Sequence, residues 1–169
     1  MRLAKTLWAE LQQEAVATRK LLALVPMDQA DFKPHPKSMA LKRLAAHVVE
    51  IHGWWKECLL QDELDFTKGD YTPKEYASTE ELLGWFDDLM QKAEVILSNA
   101  SDEDFGKDWT MRSGETIYFT QPKSVVVRTW CLNHLYHHRA QLQVYLRLLN
   151  IPVPGMYGPS ADDEGSATN

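Results

Sequence analysis

The side chains best suited to chemistry in this 169-residue chain are six histidines, His35, His47, His52, His134, His137 and His138. Three crowd into Asn133-His134-Leu135-Tyr136-His137-His138-Arg139. His134 and His138 are four residues apart, so on an α-helix their imidazoles lie on one face within chelating reach. Other helical histidine pairs that bind zinc use the same spacing. Projected at about 100° per residue, Val127, Cys131, Gln141, Tyr145 and Leu149 form an apolar stripe centred between the two rings. Two neutral imidazoles in a core are costly unless their nitrogens are satisfied. A divalent cation does this, and imidazole suits zinc, nickel, copper or iron. The pair alone is a weak motif, because a core histidine is more often simply hydrogen-bonded.

A third ligand must come from another element. The helix whose stripe is Leu41, Leu44, Val48, Ile51, Trp55, Cys58 and Leu59 carries His47 and His52 on opposite flanks, at about −60° and +80° from Leu44. Spacing does not choose between them. Three histidines leave a coordination position for water or substrate, as in catalytic rather than structural zinc sites. Such a metal lowers the pKa of water to about 7 or holds a thiol as thiolate. Cys131, one turn before His134, is a further candidate through Cys-x2-His, although a cysteine there is more often a small buried hydrophobe. Gln141 points inward and is placed to hydrogen-bond a ligand, and Trp54 is placed to wall a pocket. His137 sits on the shoulder of the stripe, His35 lies in a loop between two prolines, and Tyr136 and Arg139 read as surface or interface groups. There is no recognisable Ser/His/Asp triad, phosphate loop or dinucleotide fingerprint, and no side chain stands out as a general base.

The elements that must position these groups are four amphipathic helices, expected over residues 3–25, 39–60, 79–98 and 122–149. Ser38 is the expected N-cap of the second. Ser78-Thr79-Glu80-Glu81 reads as a capping box opening the third. The expected architecture is all-α, a four-helix bundle, which commonly builds metal sites between facing helices. The linker 61–78 is long enough to return along a helix and make the second and third helices parallel. Within 99–121, two runs around Ser113-Gly114-Glu115 suggest a short β-hairpin. A single domain over 1–161 and a flexible tail over 162–169 complete the division.

Composition narrows the classes. Lys and Arg number 18 against 24 Asp and Glu, for a net charge of −6, and no basic cluster is present, which argues against nucleic acid as partner. No apolar run approaches the roughly 20 residues of a membrane span. The N-terminal segment lacks the pattern of a secretory signal, and two distant cysteines make no disulfide scaffold. A reduced, cytoplasmic setting is expected.

Leu44-Ala45-Ala46-His47, the run His134-x3-His138-Arg139-x-Gln141-Leu142, and the close Pro152-Val153-Pro154-Gly155-x-Tyr157-Gly158-Pro159-Ser160-Ala161-Asp162 together resemble the DinB family of metalloenzymes. The resemblance covers nearly the whole chain. The family pattern usually reads His-Arg-Gly-Gln, and here Ala140 replaces the glycine. The resemblance implies up-down-down-up connectivity, a homodimer, and a divalent metal, zinc or nickel, on three histidines that map to His47, His134 and His138. It also implies a small-molecule substrate. Characterised relatives are transferases and isomerases that use low-molecular-weight thiols such as bacillithiol or mycothiol. The expected function is therefore a metal-dependent thiol S-transferase or hydrolase acting on small electrophiles. The alternative is a non-catalytic metal- or ligand-binding protein of the stress response.

Overall fold

The structure is a computed structural model that describes residues 2–69 and 71–163. Helix α1 (Leu3–Leu22) buries Leu7, Leu11, Thr18, Leu21 and Leu22 along one stripe. The second long helix is broken in two. α2 (Leu41–Glu50) passes through a 3-10 turn at Ile51–Gly53 into α3 (Trp54–Leu60). Its N-cap is Ala40, without a side-chain cap, so Ser38 does not have the expected role. Helix α4 (Thr79–Asn99) starts where Ser78 Oγ accepts from Glu81 N–H. The Glu81 carboxylate accepts instead from Ala77 N–H at 2.7 Å. The short α5 (Asp102–Gly106) opens with a full capping box between Ser101 and Asp104. The last helix is a continuous run of α6 (Lys123–Val126), a π-helical segment (Val127–Asn133) and α7 (His134–Leu148). It stops at Asn150, whose φ of 59° an α-helix does not continue.

Contacts between helices give their directions. Arg19 pairs with Asp87, and Leu3 N–H reaches Asp102 just beyond α4, so α1 and α4 are antiparallel. Glu10 meets Tyr136 and Glu14 meets Arg139, so α1 and α7 run the same way. His47 faces His134 while Tyr145 donates to Met39 O, so α2 and α7 are antiparallel. Tyr76, before α4, donates to Lys42 O, and His52 packs on Phe86, so α2 and α4 are parallel. The 61–78 segment makes that parallel return.

The expectation of an all-α bundle is overturned by a three-stranded mixed sheet. β1 (Glu63–Asp65) pairs parallel to β2 (Asp108–Ser113), which pairs antiparallel to β3 (Thr116–Pro122). β1 has only three residues, too few to show an alternating pattern. Its pairing is fixed from outside, because the Asp65 carboxylate accepts from Thr67 N–H at 3.0 Å and Gly114 N–H at 2.9 Å. Gly114 occupies the hairpin turn with φ of 59°, a left-handed conformation that glycine adopts without penalty. The sheet is part of the core. Trp109 and Met111 are buried from β2, and Trp109 Nε1 donates to Glu57 O in the middle of α3.

The core has two lobes. One gathers Leu21, Leu44, Val48, Leu82, Phe86, Leu135 and Leu146 between the helices. The other joins Leu7, Leu11, Trp55, Leu97, Phe105, Trp109 and Leu132 where the sheet closes the bundle. At the C-terminal end, the Asp162 carboxylate accepts from Val153 N–H and from Arg147. Residues 164–169 of the expected tail lie outside the described residues. Among the described residues, no helix is long and apolar enough to cross a membrane.

Candidate metal centre

His47 on α2 and His134 and His138 on α7 come together in one place, all three half-buried. His138 Nε2 lies 2.7 Å from His134 Nε2, and His47 Nε2 lies 3.3 Å from the same atom. His52 is not part of the set. It lies against Phe86 on the α4 side, 1% exposed, with Nδ1 2.9 Å from Val48 O. Cys131 is also apart, with its Sγ 3.8 Å from Cys58 Sγ in the core and burial pushing its thiol pKa up.

The hydrogen-bond network fixes the protons of two of the three rings. His47 Nδ1 is 3.2 Å from Glu50 Oε2. A carboxylate only accepts, so that nitrogen carries the hydrogen. His138 Nδ1 is 2.8 Å from Gln141 Oε1, while Gln141 Nε2 donates to His137 Nε2 at 3.0 Å. The amide oxygen therefore faces His138, whose Nδ1 is again the donor. Both Nε2 atoms are left as bare lone pairs aimed at a common point beside His134 Nε2. Burial, then the neighbouring imidazoles, push His134 down to about 4. Burial also dominates at His138, which is likewise pushed to about 4 although its bond to Gln141 works the other way. His134 and His138 are thus neutral at pH 7, and the single ring N–H of His134 cannot answer both lone pairs that meet at its Nε2. A cation can. The 3.3 Å separation is what two nitrogens at about 2.0 Å from a tetrahedral zinc would show.

The supporting groups follow one rule. Glu50 is three residues after His47, and Gln141 three after His138, so each acceptor sits one turn along on the same helix face. Burial pushes the Glu50 carboxyl up, but hydrogen bonds from His47, Tyr71 and Arg43 outweigh it and hold the group ionised below its usual range. Arg43 NH1 and Tyr71 OH both reach Glu50 Oε2 at 2.9 Å. Carboxylate or amide support of a ligating histidine fixes its tautomer and raises its basicity. Sequence reasoning missed Glu50, Arg43 and Tyr71. The signal available was the His-x2-Glu spacing, which puts an acid within one turn of His47.

Trp54 stands edge-on to His47 and His134, with centroids 5.6 and 4.9 Å away, and meets Trp130 at 6.0 Å. It is one wall of a cleft of about 1240 Å³ that opens beside His47 between α2, α3, α4 and the 61–69 segment. Gln141 spends its amide on His138 and His137.

Arg139 overturns the surface reading. It is 3% exposed and pairs with Glu14 at 2.6 Å, and it donates to Thr18 Oγ1 and Tyr157 OH. The buried face of α7 is Leu135, Arg139, Leu142, Tyr145 and Leu146, which leaves His134 and His138 on its edge rather than at its centre. The cause is the π-helical segment. Its residues advance by less than the α-helical angle, so a projection carried from Val127 through it arrives out of phase.

A family model described as the DinB family matches residues 1–166. The chain belongs to the DinB family. Two solved structures share its fold. A DinB-like protein from Bacillus subtilis is 15% identical, with 89% of this chain and 96% of that one covered and a TM-score of 0.69. A DinB-like protein from Bacillus cereus ATCC 10987 is 22% identical, with 92% and 98% covered and a TM-score of 0.69. No curated protein matches the chain in sequence. Family membership and the histidine cluster are compatible with a metal site in this DinB protein.

Proposed function

We propose that this chain is a divalent-metal-dependent enzyme acting on small organic electrophiles, with His47, His134 and His138 as ligands and zinc or nickel as the metal. One observation carries the reading. Two Nε2 lone pairs, set by Glu50 and Gln141, converge on the Nε2 of a third imidazole, whose single hydrogen cannot answer both. A divalent ion there supplies Lewis acidity, which activates a thiol or a water as nucleophile near neutral pH. The chain's own residues do the rest. Glu50 holds the His47 hydrogen at Nδ1, and Arg43 and Tyr71 hold Glu50 in place. Trp54 and Trp130 keep an apolar wall over one side of the trio, and the cleft beside His47 receives the organic reactant. A low-molecular-weight thiol is the co-reactant in the transferase form of this reading and water in the hydrolase form. A cytoplasmic homodimer, monitored by light scattering, belongs to the same reading.

The test is metal content and turnover in untagged protein. Near one divalent ion per chain is expected, with consumption of a thiol and a model electrophile such as 1-chloro-2,4-dinitrobenzene, or hydrolysis of an activated ester. Both are expected to vanish in His138→Ala. Turnover that survives metal removal refutes the proposal. Stoichiometric metal without turnover across a broad panel leaves a binding protein.

A further inference from the structure

The cleft beside His47 is walled largely by carbon. Trp54, Trp85, Trp130, Phe66, Leu89 and Met111 line it. Its Arg and Lys side chains already have carboxylate partners. Arg43 pairs with Glu50, Lys56 with Glu57, Lys68 with Glu63 and Lys92 with Asp88. A carboxylate or phosphate ligand would therefore have to break an existing ion pair to be neutralised. Size and aromatic lining favour a ring system of drug-like dimensions, which such concave apolar sites enclose.

Two polar atoms of lining residues remain unanswered. His52 Nδ1 donates to Val48 O, so its Nε2 is a bare acceptor, and that buried atom has no hydrogen-bond partner among the described residues. Burial pushes the ring down to about 4, which keeps that lone pair free at neutral pH. Glu50 Oε1 is a second buried acceptor without a partner, while Oε2 takes every bond the carboxylate makes. Buried acceptors without donors are uncommon and unfavourable. Both belong to the cleft lining, and both ask for the same thing.

We infer that the cleft binds a neutral aromatic molecule bearing a hydroxyl or N–H group, with His52 Nε2 as the acceptor that selects it. This rests on the proposed function only in taking the cleft as the place of the organic reactant. Among neutral aromatics, the site then discriminates by the donor. A site built to accept a hydrogen bond rejects the analogue that lacks one, because the acceptor stays buried and bare. A carboxylate-bearing thiol finds no free cation here, so the cleft is assigned to the electrophile and not to the thiol.

The experiment uses a matched pair of probes, 2-naphthol and 2-methoxynaphthalene, which share the ring system and differ in the donor. Ligand-observed NMR titrations are run on the zinc-loaded and metal-free protein. Saturable binding is expected for both, tighter for 2-naphthol by about tenfold. His52→Phe is expected to abolish the preference while keeping 2-methoxynaphthalene binding, and His52→Gln, which restores a side-chain acceptor, to recover part of it. Circular dichroism verifies that each variant is folded. Equal binding of the two probes to wild type overturns the inference and leaves Nε2 to a buried water. A preference that survives in folded His52→Phe overturns it as well, and if that variant does not fold the wild-type comparison decides alone. Zinc stoichiometry is measured on the same samples. A probe preference without zinc binding refutes the metal reading alone, and zinc binding without a preference refutes this inference alone.

Discussion

Helix α7 carries two buried polar clusters, and they are built on opposite principles. Towards α1, Arg139 is saturated. Its guanidinium meets the Glu14 carboxylate and backbone, Thr18 and Tyr157, and lies 5.5 Å from the ring centroids of Tyr136 and Tyr157. Both terminal nitrogens have two acceptors each and the charge is matched, so the cluster calls for no further cation. Towards α2, the histidine cluster carries an excess of acceptors aimed at one another. The difference separates a lock from a site. Burial and polarity are common to both, and the sign of the unmet demand is not.

That contrast is broken most sharply by removing one side chain from each cluster. His138→Ala should cost metal affinity more than the roughly 100-fold that loss of a supporting partner costs, while the metal-free protein unfolds near the wild-type midpoint. Calorimetric zinc titration and urea unfolding read the two quantities. Arg139→Ala should do the reverse. It leaves the Glu14 charge buried without its partner and should lower stability by about 3–5 kcal/mol, with metal stoichiometry intact in the fraction that remains folded. If Arg139→Ala proves neutral to stability, the lock reading of that cluster fails.

Smaller changes sharpen the comparison. Glu50→Gln keeps an acceptor beside His47 Nδ1 but removes the charge, and should weaken metal binding by roughly 10- to 100-fold, measured by competition with a chelator. A further change is in pH dependence. His52, His134 and His138 are each pushed to about 4, against about 6.5 for an unfolded histidine. Between those values the unfolded chain binds more protons than the folded one. Their contribution to stability is therefore full above pH 6.5 and lost as the pH falls towards 4. Urea midpoints of the metal-free protein should drop over that window, and His52→Phe should flatten the slope by about one proton. A slope that His52→Phe leaves unchanged would show that His52 does not stay neutral in the folded protein.

The long amphipathic helices were readable because their stripes repeat over about four turns, as Leu7, Leu11, Thr18 and Leu21 do. The two histidines of α7 were readable because a four-residue spacing survives any tertiary context. His47 was separated from His52 by resemblance and not by spacing, since the 3-10 turn at Ile51–Gly53 changes the angle between them. β1 was hidden because three residues carry no period and its pairing is supplied by Asp65 and the distant Gly114. Arg139 was misread because its acceptors come from α1 and the C-terminal segment, 125 and 18 residues away in sequence.

The π-helical segment Val127–Asn133 also acts as a phase shifter between the two ends of the last helix. The part before it follows the sheet and the aromatic wall, and the part after it follows the bundle and the imidazoles. Deleting a single residue inside it would let ordinary helix reform with the two ends turned little against each other, because six α-helical steps cover nearly the angle that seven wider π-helical steps cover now. Few other places in the long helices should accept the loss of one residue with so small a change of phase.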